Sequence, residues 1–171
     1  MLPSTIVRAL TTPTFEPEQF TATQWSPAED KAKFANALMK FIAREFPRAG
    51  FSRALYQRLS NTFGHIAHTN QDGYYSVFFE RDADKAAFLG EMLRWPCHGD
   101  PTYTFCDVER AIQRRLRAAN AIDIFRMRAA DANRKRELDI LARCRAKYGA
   151  NRESPSSSPQ TSPPQADLFS G

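Results

Sequence analysis

Phe34, Leu38, Phe41 and Ile42 recur at i, i+4, i+7 and i+8, a spacing that lines one face of an α-helix with apolar side chains. Such a stripe must be covered by other elements, so the chain is expected to build a core from packed helices. Ser26-Pro27-Ala28-Glu29 predicts where this helix begins: Ser26 as N-cap, Pro27 at the first helical position and Glu29 placed for a capping box. Pro47 and Gly50 end it. The same period predicts a helix over 52–63 through Leu55, Leu59 and Phe63, stopped by Gly64. It predicts another from Asp82 to Leu93, opened by acidic residues that suit the helix dipole and carrying Phe88, Leu89, Met92 and Leu93. After the loop enforced by Pro96, Gly99 and Pro101, Thr104-x-x-Asp107 predicts the cap of a helix running through Val108, Ile112 and Leu116 to about Ala119. A last helical region is expected over Ile122–Tyr148, before Gly149.

Two stretches break the helical pattern. The first 25 residues hold Pro3, Pro13 and Pro17 among many threonines and read as an extended arm, with Phe15, Phe20 and Trp25 as its anchors on the core. Asn70-Gln71-Asp72-Gly73 reads as a turn, and the aromatic, β-branched run Tyr74 to Glu80 reads as a strand pairing with His65–His68 in a small β-hairpin. The expected fold class is therefore mainly α (α+β): a helical domain with a small β-hairpin, basic C-terminal helices and a disordered C-terminal tail.

A chain of 171 residues has room for one ordinary domain and an appendage. Its composition is globular, with 42% hydrophobic and 25% charged residues, and thirteen Phe, five Tyr and two Trp can fill a core. One mostly helical domain is expected over 26–150. Residues 151–164 form a different kind of segment, because Ser154–Pro164 contains five Ser, four Pro, one Gln and one Thr and has nothing to bury. It is expected to be a semi-extended tether. No internal repeat is present. Cys97, Cys106 and Cys144 are odd in number and widely spaced, no basic-then-apolar leader opens the chain, and no apolar run approaches a membrane span. A soluble cytoplasmic protein is expected.

Beyond the tether, residues 165–171 read Gln-Ala-Asp-Leu-Phe-Ser-Gly, which places Leu168 and Phe169 where no fold of their own covers them. The pentapeptide resembles the Gln-x-(Asp/Ser)-Leu-Phe motif with which bacterial polymerases, mismatch-repair factors and clamp loaders dock on the β sliding clamp of DNA polymerase III. All four defining positions match. The resemblance implies that Leu168 and Phe169 fill the clamp's hydrophobic cleft, Gln165 hydrogen-bonds at the neighbouring subsite and Asp167 fixes the backbone turn between them. Ala166 occupies the permissive position. Two buried apolar side chains contribute a few kcal/mol, partly offset by ordering the peptide, so weak and exchangeable binding is expected, strengthened if two clefts of a ring are engaged. A tether of twelve residues between Arg152 and Gln165, at about 3.1 Å per residue, spans about 35–40 Å. The competing structural reading folds Leu168 and Phe169 back onto the domain.

The net charge of +5 is unevenly placed. Residues 1–106 carry eleven basic and eleven acidic side chains, whereas residues 107–152 carry thirteen basic and six acidic ones, a local net of +7. Arg110, Arg114, Arg115, Arg117, Arg126, Arg128, Arg134, Lys135, Arg136, Arg143, Arg145 and Lys147 are thus candidate contacts to DNA phosphates, blind to sequence and sensitive to salt. The plainer reading is a solvated helix face with pairs such as Glu109 with Gln113 or Asp139 with Arg143.

Little points to catalysis. There is no Walker loop, no dinucleotide-type glycine pattern and no carboxylate cluster of the two-metal kind. His65, His68, Cys97 and His98, with Cys106, offer zinc-compatible atoms, but their spacing fits no standard finger, and no metal or cofactor is expected. Adjacent Cys97 and His98 lack an orienting third group. The reading that follows is a non-enzymatic bacterial accessory or inhibitory protein that binds the clamp, with DNA as a further partner and no membrane. The alternatives are a plasmid- or phage-type nucleic-acid-binding or regulatory protein with a fortuitous tail, and a small DNA-processing enzyme delivered by the clamp.

Overall fold

The computed structural model describes residues 1–63 and 70–149. The fold is mainly α: seven α-helices occur among the described residues, and no strand does. They are α1 (Ser4–Thr11), α2 (Ala28–Ala43), α3 (Arg53–Thr62), α4 (Gln71–Phe78), α5 (Asp82–Arg94), α6 (Cys106–Ala119) and α7 (Ala121–Gly149), with short 3-10 turns at Pro17–Gln19 and Arg48–Gly50. The chain divides into two units, Met1–Ala132 and Asn133–Gly171. The N-terminal segment belongs to the first unit.

In the first unit α2 is the central element, packed on α1, α3 and α6. Its stripe is buried as expected, with Leu38 and Ile42 fully enclosed and Phe34 and Phe41 nearly so. The start differs from the capping box predicted at Ser26: Pro27 is the N-cap and no side chain caps the helix. Ser26 is instead held in a turn, where Thr23 N donates to its carbonyl and its own N–H donates to Thr23 Oγ1, both at 2.8 Å. After α2 the chain reverses through Glu45 and Phe46, both in the left-handed region at φ 63° and 60°. A bulky residue pays strain there. Phe46 accepts it because its N–H reaches Phe41 O at 2.9 Å and its ring is buried against Phe79, centroids 4.9 Å apart.

The hairpin expected around Tyr74–Glu80 is corrected: residues Gln71–Phe78 form α4. Asn70, read as a turn residue, is its N-cap, with Oδ1 accepting from Gly73 N at 2.6 Å. Tyr74, Tyr75, Phe78 and Phe79 stand at i, i+1, i+4 and i+5, so one helical face presents all four rings to a core of Phe41, Phe46, Phe51 and Phe88. Aromatic β-propensity reflects a fit to half-buried surfaces and yields to such a core. The proposed partner strand at His65–His68 and the stop at Gly64 lie outside the described residues.

The extended arm is also corrected, since Ser4–Thr11 is the helix α1, packed on α2 and α6. Eight residues make a marginal helix in isolation. Packing stabilises it: Leu10 is fully buried, and Ile6 and Val7 lie against the core. Phe15 and Phe20 anchor the following segment as expected, whereas Trp25 is 71% exposed. The cap predicted at Thr104-x-x-Asp107 is replaced as well. Phe105 is the N-cap of α6, and Asp107 turns to Lys31.

Candidate functional site

A polar, aromatic cleft of about 510 Å³ opens in the first unit between the end of α3, the 95–105 loop and the start of α6. Its walls include Trp95, Tyr103 and Phe105, with Arg58 and His98 lining it and Glu109 reaching it from α6. Tyr103 is 61% exposed and meets the exposed Trp25 edge to face at 6.5 Å. The Arg58 guanidinium lies 4.4 Å from the centre of the Phe105 ring. It has no carboxylate partner among the described residues.

The loop that forms this wall is pinned by buried polar side chains. Lys31 is fully buried, and its Nζ donates to Pro101 O, Thr104 O and both oxygens of Asp107 at 2.8–3.1 Å. Gln113 Nε2 donates to Met92 O at 2.9 Å and to Trp95 O at 2.7 Å. Gly99 adopts φ +106°, and a Cβ there would stand 2.8 Å from Thr104 Cγ2, so the turn requires glycine. Four polar or charged side chains are buried among the described residues: Lys31, Thr62, Glu109 and Gln113. Thr62 and Glu109 line the cleft, and Lys31 and Gln113 hold its loop. Buried polar groups are costly in a core and concentrate where structure serves recognition.

Burial pushes the Glu109 carboxyl above its ordinary range, against the opposing effect of the Trp95 indole and Cys97 thiol that donate toward it and of the nearby Arg110 charge. The Cys97 thiol is pushed up to about 11, first by burial and then by the Glu109 charge. A raised thiol is the reverse of an activated nucleophile. His98 beside it is exposed. No group of three or more His, Cys, Asp or Glu capable of holding a metal occurs among the described residues. His65 and His68 lie outside them.

The candidate phosphate contacts separate into two sets. Arg115 is an internal strut: it packs on the Phe15 ring at 3.8 Å and donates to Pro13 O and to Leu10 O. Arg117 donates to Leu93 O at 2.7 Å, Arg126 pairs with Asp123 at 3.2 Å, and Arg128 pairs with Glu45 at 2.8 Å. Arg110 is tied to Cys106. Arg114 is exposed. In the second unit, by contrast, Arg134, Lys135, Arg136, Arg143, Arg145 and Lys147 on α7 are all exposed and have no acidic partner within 4 Å among the described residues. Arg136, Arg143 and Lys147, at i, i+7 and i+11, share one face of that helix. Gln165, Asp167, Leu168 and Phe169 lie outside the described residues, as does the linker 151–164.

Sequence reading overlooked the cleft. One signal was available: Glu109 and Gln113 sit beside Val108 and Ile112 on the core-facing side of an apolar helical period, where polar residues have a purpose or a cost. The convergence of Arg58, Trp95 and Tyr103 on Glu109 had none. No helix among the described residues is long and apolar enough to cross a membrane. Comparison of the chain with known protein families, curated proteins and solved structures finds no match.

Proposed function

We propose that this protein is a non-enzymatic bacterial accessory or inhibitory protein that docks on the β sliding clamp through Gln165-Ala166-Asp167-Leu168-Phe169 and acts beside replicating or repaired DNA in the cytoplasm. The observation that carries the reading is the four-position match of Gln165, Asp167, Leu168 and Phe169, placed after a Ser/Pro stretch with no core-forming residues. Leu168 and Phe169 are the apolar plug and Gln165 and Asp167 its polar frame. In a titration of purified clamp, Leu168→Ala/Phe169→Ala is expected to weaken binding by about thirtyfold or more, as loss of two central apolar anchors does. Equal affinity of the two forms would remove the clamp as partner.

The second reading, a nucleic-acid-binding protein whose tail match is accidental, is favoured by the six α7 cations that have no acidic partner within 4 Å among the described residues. These residues also serve the first reading, by contacting duplex that the clamp encircles. Replacing Arg136, Arg143 and Lys147 by Gln is expected to lower the slope of log affinity against log salt by about 1 per residue, about 3 in all. An unchanged slope in a filter-binding series would take these side chains out of phosphate contact. The structural struts Arg115 and Arg117 are not expected to carry such a slope.

A further inference from the structure

We infer that the cleft bounded by Arg58, Trp95, Tyr103, Phe105 and Glu109 binds an unpaired guanine nucleotide, with Glu109 reading the base edge. The walls come first. Trp95 and Tyr103 line the cleft with rings, Tyr103 from an exposed position, while the Phe105 ring carries the Arg58 guanidinium, and planar bases stack on such exposed rings when released from a duplex. Glu109 then selects among planar ligands. Its side chain is buried, and the Trp95 indole and Cys97 thiol that approach it are neutral donors, so carboxylate lone pairs remain for N–H donors in the cleft. Guanine carries two adjacent donors on its Watson–Crick edge, N1–H and N2–H, which match the two oxygens of one carboxylate. Adenine and cytosine pair one donor group with an acceptor, and uracil sets a single donor between two acceptors.

Arg58 supplies the complementary charge. Its guanidinium lies 4.4 Å from the Phe105 ring centre with no carboxylate partner among the described residues, and it lines the same cleft as Glu109. That places an anion receptor beside a base receptor, the combination a nucleotide presents. A simple alkylammonium ligand would suit Glu109 and the rings but would meet Arg58 as a like charge. Lys31 and Gln113 hold the loop by donating to the Pro101, Thr104 and Trp95 carbonyls, which favours a pre-organised site. Nothing in this inference requires the clamp, and the Leu168→Ala/Phe169→Ala form is expected to behave as the full chain does.

Trp25 and Trp95 are the only two tryptophans, so Trp25→Phe leaves Trp95 as the reporter. In this background GMP is expected to quench Trp95 saturably, and to bind about tenfold or more tightly than AMP, CMP or UMP, with IMP, which lacks the N2 donor, weakened by a similar factor. Glu109→Gln is expected to erase the preference for GMP. Tyr103→Ala, at an exposed side chain whose loss leaves the core intact, is expected to weaken GMP about fivefold or more. Two sources share this chemistry. An oligothymidylate carrying one central guanine that binds at least about tenfold more tightly than GMP, with the gain lost in Glu109→Gln, identifies single-stranded nucleic acid; otherwise GMP and GDP identify the free nucleotide. Equal affinity for all four nucleotides, no saturable quenching by millimolar GMP, or undiminished GMP binding by both variants would overturn the assignment.

Discussion

Asp107→Ala is expected to lower the stability of the first unit by about 3–5 kcal/mol, the cost of stripping one partner from a buried charge pair. Lys31 Nζ is fully buried and lies 3.0 Å from Asp107 Oδ1, so the alanine form encloses an ammonium ion with no compensating charge. Two carbonyls, Pro101 O and Thr104 O, still accept from it and place the loss toward the lower end of the range. Asp107 Oδ2 also receives Thr21 N at 3.0 Å, so the same change releases the segment after the first 3-10 turn. Against a typical total of about 5–15 kcal/mol this is a large fraction, and thermal melting is expected to fall by about 10 °C. In Lys31→Met/Asp107→Ala the isolated charge is gone, and part of the loss should return, giving a coupling energy that a double-mutant cycle reads directly. A loss under about 1 kcal/mol for Asp107→Ala would mean that the two carbonyls alone satisfy Lys31.

Phe79→Ala is expected to cost about 3–5 kcal/mol in urea unfolding followed by tryptophan fluorescence. Phe79 is 1% exposed, and its ring lies 4.9 Å from those of Phe46 and Phe88 and 5.2 Å from those of Phe41 and Phe51. Removing it opens a cavity where α2, α4 and α5 meet and leaves Phe46 without the stacking that holds it in its left-handed conformation. Phe79→Leu refills most of the volume and is expected to cost about half as much. If the leucine form unfolds at the same urea concentration as the unsubstituted protein, the ring contacts contribute nothing beyond bulk, and Phe46 is held by its backbone bond to Phe41 alone.

Phe79 also shows why part of this fold was misread. In the run from Tyr74 to Glu80, bulky aromatic residues satisfy a strand's preference as well as one face of a short helix, and no strict alternation of apolar and polar residues decides between them. The decision falls to Asn70, which caps the helix from a side chain read as part of a turn. Ile6, Val7 and Leu10 present the same problem in α1, where Pro3 and Pro13 dominate the local signal and helicity comes from burial on α2 and α6. Longer periods carried more information. The stripe of α2, the apolar period of α3 through Leu55 and Leu59 and the acidic opening of α5 were all legible in the sequence.

The candidate sites divide along the same line. The terminal peptide and the excess of cations after residue 107 are linear properties, visible in order and count without any fold. Which cations are available to a partner is a tertiary matter: Arg115, Arg117 and Arg128 are engaged by backbone carbonyls or Glu45, while the α7 cations from Arg134 onward have no acidic partner among the described residues. The cleft at Glu109 is tertiary throughout, since Arg58, Trp95, Tyr103 and Glu109 lie 6 to 51 residues apart in sequence and share no period. Helical periodicity by itself determined that this chain would build a mainly α core, because apolar faces recurring over several turns must be covered. Only packing decided that an aromatic run became α4, that Lys31 would be buried against Asp107 and that a buried carboxylate would face a ring-lined cleft, because each depends on residues that meet only after the core has closed.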